Sequence, residues 1–152
     1  MRTLSSWLLC IELAGFVTLP AAAAGTAQDR AVTSAAIQCA NMNSAQSTLP
    51  RDVGLKDAKT RRNHIAALVT ALRRSATKVG TAETTVEGTA TATKLLAIRK
   101  AMLRYAQALS VYLRVVPVAT TAMDTATVNA FGGLINTGSA LTARCGSLAG
   151  RR

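Results

Sequence analysis

The sequence predicts an all-α fold, an antiparallel bundle of about four helices. Three observations carry this. Hydrophobic residues make up 49% of the 152 residues but aromatics only 3%, so the apolar content is mostly Ala, Leu and Val. Ala is the strongest helix former and has little bulk, which suits close-packed helices. Sandwiches and barrels favour β-branched and aromatic residues instead. Apolar positions also recur at helical spacing in four successive segments.

The first segment is expected over roughly Gln28–Ser47, with Val32, Ala35, Ala36, Cys39 and Asn43 on one face. Leu49-Pro50 should end it, because the residue before Pro is driven out of the helical region. The second runs roughly Asp52–Val79, with Ile65, Leu68, Val69, Leu72, Ala76 and Val79 as its stripe and Gly80 as C-terminal cap. The third, roughly Thr89–Val116, is the clearest. Leu95, Ile98, Met102, Tyr105, Ala106, Leu109, Tyr112, Leu113 and Val116 share one arc, and Pro117 closes it. Thr84 and Glu87 are placed to form a capping box ahead of it. The fourth, roughly Val118–Leu148, repeats Met123, Ala126, Ala130, Leu134, Leu141 and Cys145. Gly132-Gly133 and Gly138 are expected to kink it, break it or allow a close helix approach.

Residues 1–24 read as a secretory signal peptide. Arg2 is a short positive start, Trp7 to Leu19 an apolar run interrupted only by Glu12 and a few small residues, and Pro20 with Ala21–Ala24 the small-residue cleavage region. Cleavage after Ala24 leaves a helical domain over 25–152. The apolar run is shorter than the roughly 20 residues a spanning helix needs, and no later segment is apolar enough to span. Cys10 follows Leu9, where a lipidation box needs a small residue. Gly15-Phe16 is followed by Pro20, where a prepilin has Glu. The expected location is therefore the periplasm or exterior.

Without Cys10, two cysteines remain, Cys39 and Cys145. An even count in an oxidising compartment predicts a disulfide joining the first and last helices.

The charge is lopsided: 18 Lys+Arg against 7 Asp+Glu, a formal +11. This favours anionic partners. Arg61, Arg62, Arg73, Arg74 and Lys78 on the second helix, with Lys94, Arg99, Lys100 and Arg104 on the third, form one basic surface if the two helices are antiparallel neighbours. Nucleic acid is disfavoured, because single-strand binders interleave cations with stacking aromatics, and export points away from the genome.

Catalytic groups are sparse. His64 is the only histidine, and it reads as a surface or cap residue. One histidine and a bridged cysteine pair cannot build a closed zinc site, so no metal or cofactor is expected. Glu83 and Glu87 sit in a Thr-rich connector and make a poor acid–base pair. Gly132-Gly133 lacks the Lys-Ser/Thr of a phosphate loop. The expected function is a non-enzymatic exported binding protein docking an acidic protein, of inhibitor, immunity or adaptor type. The alternative is attachment to anionic lipid or polysaccharide of the envelope. A more remote one is an enzyme on a small anionic metabolite, with Arg104 and Arg61 as anion clamps.

Overall fold

The computed structural model describes residues 26–53, 57–115 and 125–149. They form four helices: α1 (Ala27–Val53), α2 (Ala58–Thr84), α3 (Ala90–Val115) and α4 (Thr125–Ala149). Residues 1–24, expected to be a signal peptide, and Val116, Pro117, Val118 and Met123 lie outside the described residues.

Each of the first three helices starts where a side chain satisfies free amides. At α1, Thr26 and Asp29 bond reciprocally: the Thr26 amide donates to Asp29 Oδ2 (3.0 Å), and the Asp29 amide donates to Thr26 Oγ1 (3.1 Å). At α2, Asp57 accepts from the Thr60 amide at 2.7 Å. At α3, Thr89 Oγ1 accepts from the Ala92 amide at 3.2 Å. Thr89 therefore caps α3, and the expected Thr84/Glu87 box does not form. The Thr84 hydroxyl instead donates back to Thr81 O.

Three local expectations are corrected, and one left open, whether Gly132-Gly133 breaks the last helix, is answered. First, α1 does not stop at Leu49-Pro50 but runs on to Val53. Leu49 packs against the core, and that burial outweighs a local preference. The start of α2 accordingly moves from Asp52 to the cap at Asp57. Second, Gly80 does not cap α2, which continues to Thr84. Ala82 and Val86 are still buried beyond it, so ending at Gly80 would forfeit apolar contact. The reversal uses Gly88, whose φ of +77° is a backbone state that side chains disfavour. Third, Gly132-Gly133 does not interrupt α4, where Phe131 and Leu134 on either side are held against the core. Fourth, the buried face of α1 is rotated. Ala31, Ala35, Gln38, Cys39 and Met42 are buried, whereas Ala36 and Asn43 are exposed. Ala126 of α4 is likewise exposed.

The helices run alternately up and down, as the paired positions show. Gln38 meets Ser75 across α1–α2, Glu83 meets Arg99 across α2–α3, and Tyr112 meets Phe131 across α3–α4. Cys39 and Cys145 close the ring across α1–α4 with Cα atoms 5.6 Å apart. The expected disulfide is thus present and joins the first and last helices.

The core is lopsided. α2 and α3 share the most extensive contact and contribute most of the large fully buried side chains: Ile65, Leu72, Val79, Leu95, Ile98, Met102 and Leu109. Each such aliphatic group contributes roughly 1.5–3 kcal/mol when buried. α1 offers mainly alanines, Cys39 and Met42, and touches α3 and α4 only sparsely. Its polar anchors are Gln38, which accepts from the Ser75 hydroxyl in the interior (3.1 Å), and Gln28, which accepts from Thr91 (3.4 Å).

A divided basic surface and three interhelical grooves

The cations picked out by sequence do not form one sheet of charge. They fall on different seams of the bundle because successive basic residues on a helix are spread around its axis.

Two are tied into the α2–α3 seam. Arg99 donates to Glu83 Oε2 at 2.8 Å, with its side chain lying over Gly80. A Cβ at Gly80 would sit 3.2 Å from Arg99 Cδ, so the missing side chain makes room for the arm. Arg62 donates to the carbonyl of Leu113 at 3.0 Å, in the last turn of α3, where carbonyls lack helical donors. Arg61 is half-buried. Its charge works against the burial that pushes the Tyr112 phenol above its ordinary pKa.

The others lie elsewhere. Arg73 and Arg74 are exposed on α2, and Lys94 is half-buried early in α3. Lys78 lines a groove between α1 and α2 with Arg30, Ser34 and Thr81. Lys100 and Arg104 line a groove between α3 and α4, of about 370 Å³, together with Arg144. Apart from Arg99, none of the exposed cations Arg73, Arg74, Lys78, Lys100, Arg104 and Arg144 pairs with a carboxylate among the described residues. Arg61 and Arg104 do not meet as a clamp. Arg61 acts on Tyr112, which lies eight residues along α3 from Arg104, or about 12 Å.

Sequence reasoning missed two features. Arg144 stands alone beside Cys145, so no local charge run marked it. The third groove, about 680 Å³, lies between α1 and α4 over Tyr105 and is lined mostly by apolar side chains, among them Leu49, Phe131, Leu134 and Ile135. One end is polar. Gln46 donates weakly to Gly138 O (3.5 Å) and accepts from the Thr142 hydroxyl (3.3 Å). Burial raises the pKa of Tyr105, partly offset by its hydrogen bond with Gln46. Gly138 permits this junction: a Cβ there would lie 3.3 Å from both Gln46 Nε2 and the Tyr105 ring.

Among the described residues no group of His, Cys, Asp and Glu is placed to hold a metal ion, and no helix is long and apolar enough to cross a membrane. Comparison with protein-family models, with curated proteins and with solved structures finds no match for the chain.

Proposed function

We propose that the chain is an exported, non-enzymatic binding protein whose basic helical surface docks an acidic protein, as an inhibitor, immunity factor or adaptor does. The observation that carries this reading is the excess of exposed cations on α2 and α3 without carboxylate partners. Self-repulsion among such charges opposes the compact state, and an acidic partner relieves it. The disulfide suits an oxidising compartment, consistent with a signal peptide over residues 1–24 cleaved after Ala24.

The cations offered to the partner are the exposed Arg73 and Arg74 of α2, with Lys78 on the α1–α2 side, Lys100 and Arg104 on the α3–α4 side, and the half-buried Lys94 early in α3. Arg99 and Arg62 serve mainly to lock α2 to α3, through Glu83 and Leu113 O. Affinity from such a rim of charge is salt-sensitive and shows mainly in the association rate.

The test is recovery of partners from native envelope and culture fractions at low and high salt, with the disulfide-intact protein as bait and products identified by mass spectrometry. Wild type is compared with a variant carrying Arg73→Glu, Arg74→Glu, Lys100→Glu and Arg104→Glu. One stoichiometric acidic protein, lost with the variant, is the expected result. Equal recovery by both baits refutes the proposal. Recovery of only anionic lipid or polysaccharide also refutes it, in favour of envelope attachment.

A further inference from the structure

The α3–α4 groove gathers three cations, Lys100, Arg104 and Arg144, into one concavity, against two in the α1–α2 groove. Its α3 wall carries Ala97, Lys100, Ala101 and Arg104, and its α4 wall carries Asn136, Thr137, Ala140 and Arg144. Lys100 and Arg104 are four apart on α3. Asn136, Ala140 and Arg144 are spaced by four on α4. Each set therefore lines up along one face of its helix. The alanine side chains on both walls are too short to fill the space between the helices.

The charge balance within this groove is one-sided. It holds three cations and no acid. Lys100, Arg104 and Arg144 make no ion pair among the described residues. Like charges at this spacing repel, and two of them share a helix face. The Thr137 hydroxyl is committed as a donor to Gly133 O at 2.6 Å, so the free donors facing the groove are the two guanidinium groups, the ammonium and the Asn136 amide. Planar guanidinium forks match the oxygens of a phosphoryl group in pairs. A single carboxylate would use one fork and leave two cations unanswered.

We propose that the α3–α4 groove is a binding site for a multiply charged phosphoryl group, held by Arg104 and Arg144 from opposite walls with Lys100 as the third cation. This goes beyond the docking reading. It requires no protein partner, and its key arginine, Arg144, lies outside the α2–α3 patch. The phosphoryl group can come from a soluble phosphate compound or from a phosphomonoester lipid headgroup, and the two sources share the chemistry.

The experiment is calorimetric titration of the intact, disulfide-bonded protein with pyrophosphate, with sulfate and chloride at matched ionic strength as comparison anions. Sedimentation with vesicles containing phosphatidic acid is run in parallel. Two variants lose the same charge: Arg104→Gln with Arg144→Gln in the groove, and Arg73→Gln with Arg74→Gln outside it. Circular dichroism checks that both are folded. Loss of two charge-assisted hydrogen-bonding groups should weaken binding by about tenfold or more in the groove variant and leave the outside variant near wild type. Saturable pyrophosphate binding with that pattern supports the site and assigns it a soluble ligand. Vesicle binding alone with the same pattern supports it and assigns a headgroup. Equal weakening in both variants, or no saturable binding to either probe, overturns it. A wild-type amide shift map that moves α2 rather than Ala97, Ala101 and Ala140 also overturns it, independently of how any variant folds.

Discussion

Replacing Cys39 and Cys145 by alanine removes the covalent tie between α1 and α4. In the chain-entropy picture, closing a loop across a separation of 106 residues disfavours the unfolded chain by about 4.7 kcal/mol. A domain of this kind has in total roughly 5–15 kcal/mol of stability, so the bridge is a large share of it. Apart from the bridge, α1 is held mainly by α2, through a buried face of Ala31, Ala35, Gln38, Cys39 and Met42, and its contacts with α3 and α4 are sparse. Both cysteines are themselves buried, at 4% and 6% exposure, so truncation also loses some packing. The expected loss is about 3–5 kcal/mol, read as the shift in urea unfolding followed by far-ultraviolet circular dichroism. The denaturant slope should steepen in the variant, because its unfolded chain is no longer looped and exposes more surface. Amide exchange supplies the location. Protection in α1 should collapse first while α2 and α3 keep theirs. A loss below about 1 kcal/mol, or protection falling evenly over all four helices, would refute this picture of a dependent α1.

Glycines in α4 should respond with opposite signs. Gly132→Ala meets open space and should raise stability by roughly 0.5–1 kcal/mol through helix propensity. Gly138→Ala gains the same propensity but presses on the buried Tyr105 ring, so thermal unfolding should show a lower midpoint than wild type. An increase matching that of Gly132→Ala would show that the junction yields freely. The tyrosines set an alkaline limit. Burial raises the pKa of Tyr105 and Tyr112 above 10.0 in the folded state. The stability they contribute is complete below the unfolded value of about 10 and is lost as pH rises through the folded values. Tyrosinate absorbance should therefore appear together with loss of helical signal, and a phenol titrating normally in the folded protein would contradict this. Asp29 and Asp57 act at the other end of the scale. Hydrogen bonds from Thr26 and Thr60 hold both carboxyls below 3.8. Their stabilisation is present above that value and fades as pH falls through the lower folded values, which carbon-detected titration of the two carboxyls would register as depressed midpoints.

The legibility of the fold followed side-chain contrast. On α2 and α3 large aliphatic residues alternate with cations, so stripes such as Ile65–Leu72–Val79 and Leu95–Met102–Leu109 mark the buried face without ambiguity. α1 is written in Ala, Ser, Thr and Asn, which differ little in hydrophobicity. Its spacing therefore points about one position out of phase, to Asn43 where the buried residue is Met42. Pro50, Gly80 and Gly132-Gly133 are local signals for stopping, and packing by Leu49, Ala82 and Leu134 overrode them. The charge excess was visible in composition. Its division among seams was not, because that depends on the rotation of each helix against its neighbours. Arg144 became part of a groove only once α4 was laid antiparallel to α3.

The bridge has a mechanical consequence as well. If the chain is pulled by its two ends, tension runs from the first half of α1 through the sulfurs into the last residues of α4. The segment between Cys39 and Cys145, a separation of 106 residues, bears no load. It contains the whole of α2 and α3. Stretching the oxidised protein should therefore release only the outer tails, with about 350–380 Å of contour length withheld until the bond is reduced. The helices with the best-filled core are the ones that traction cannot reach.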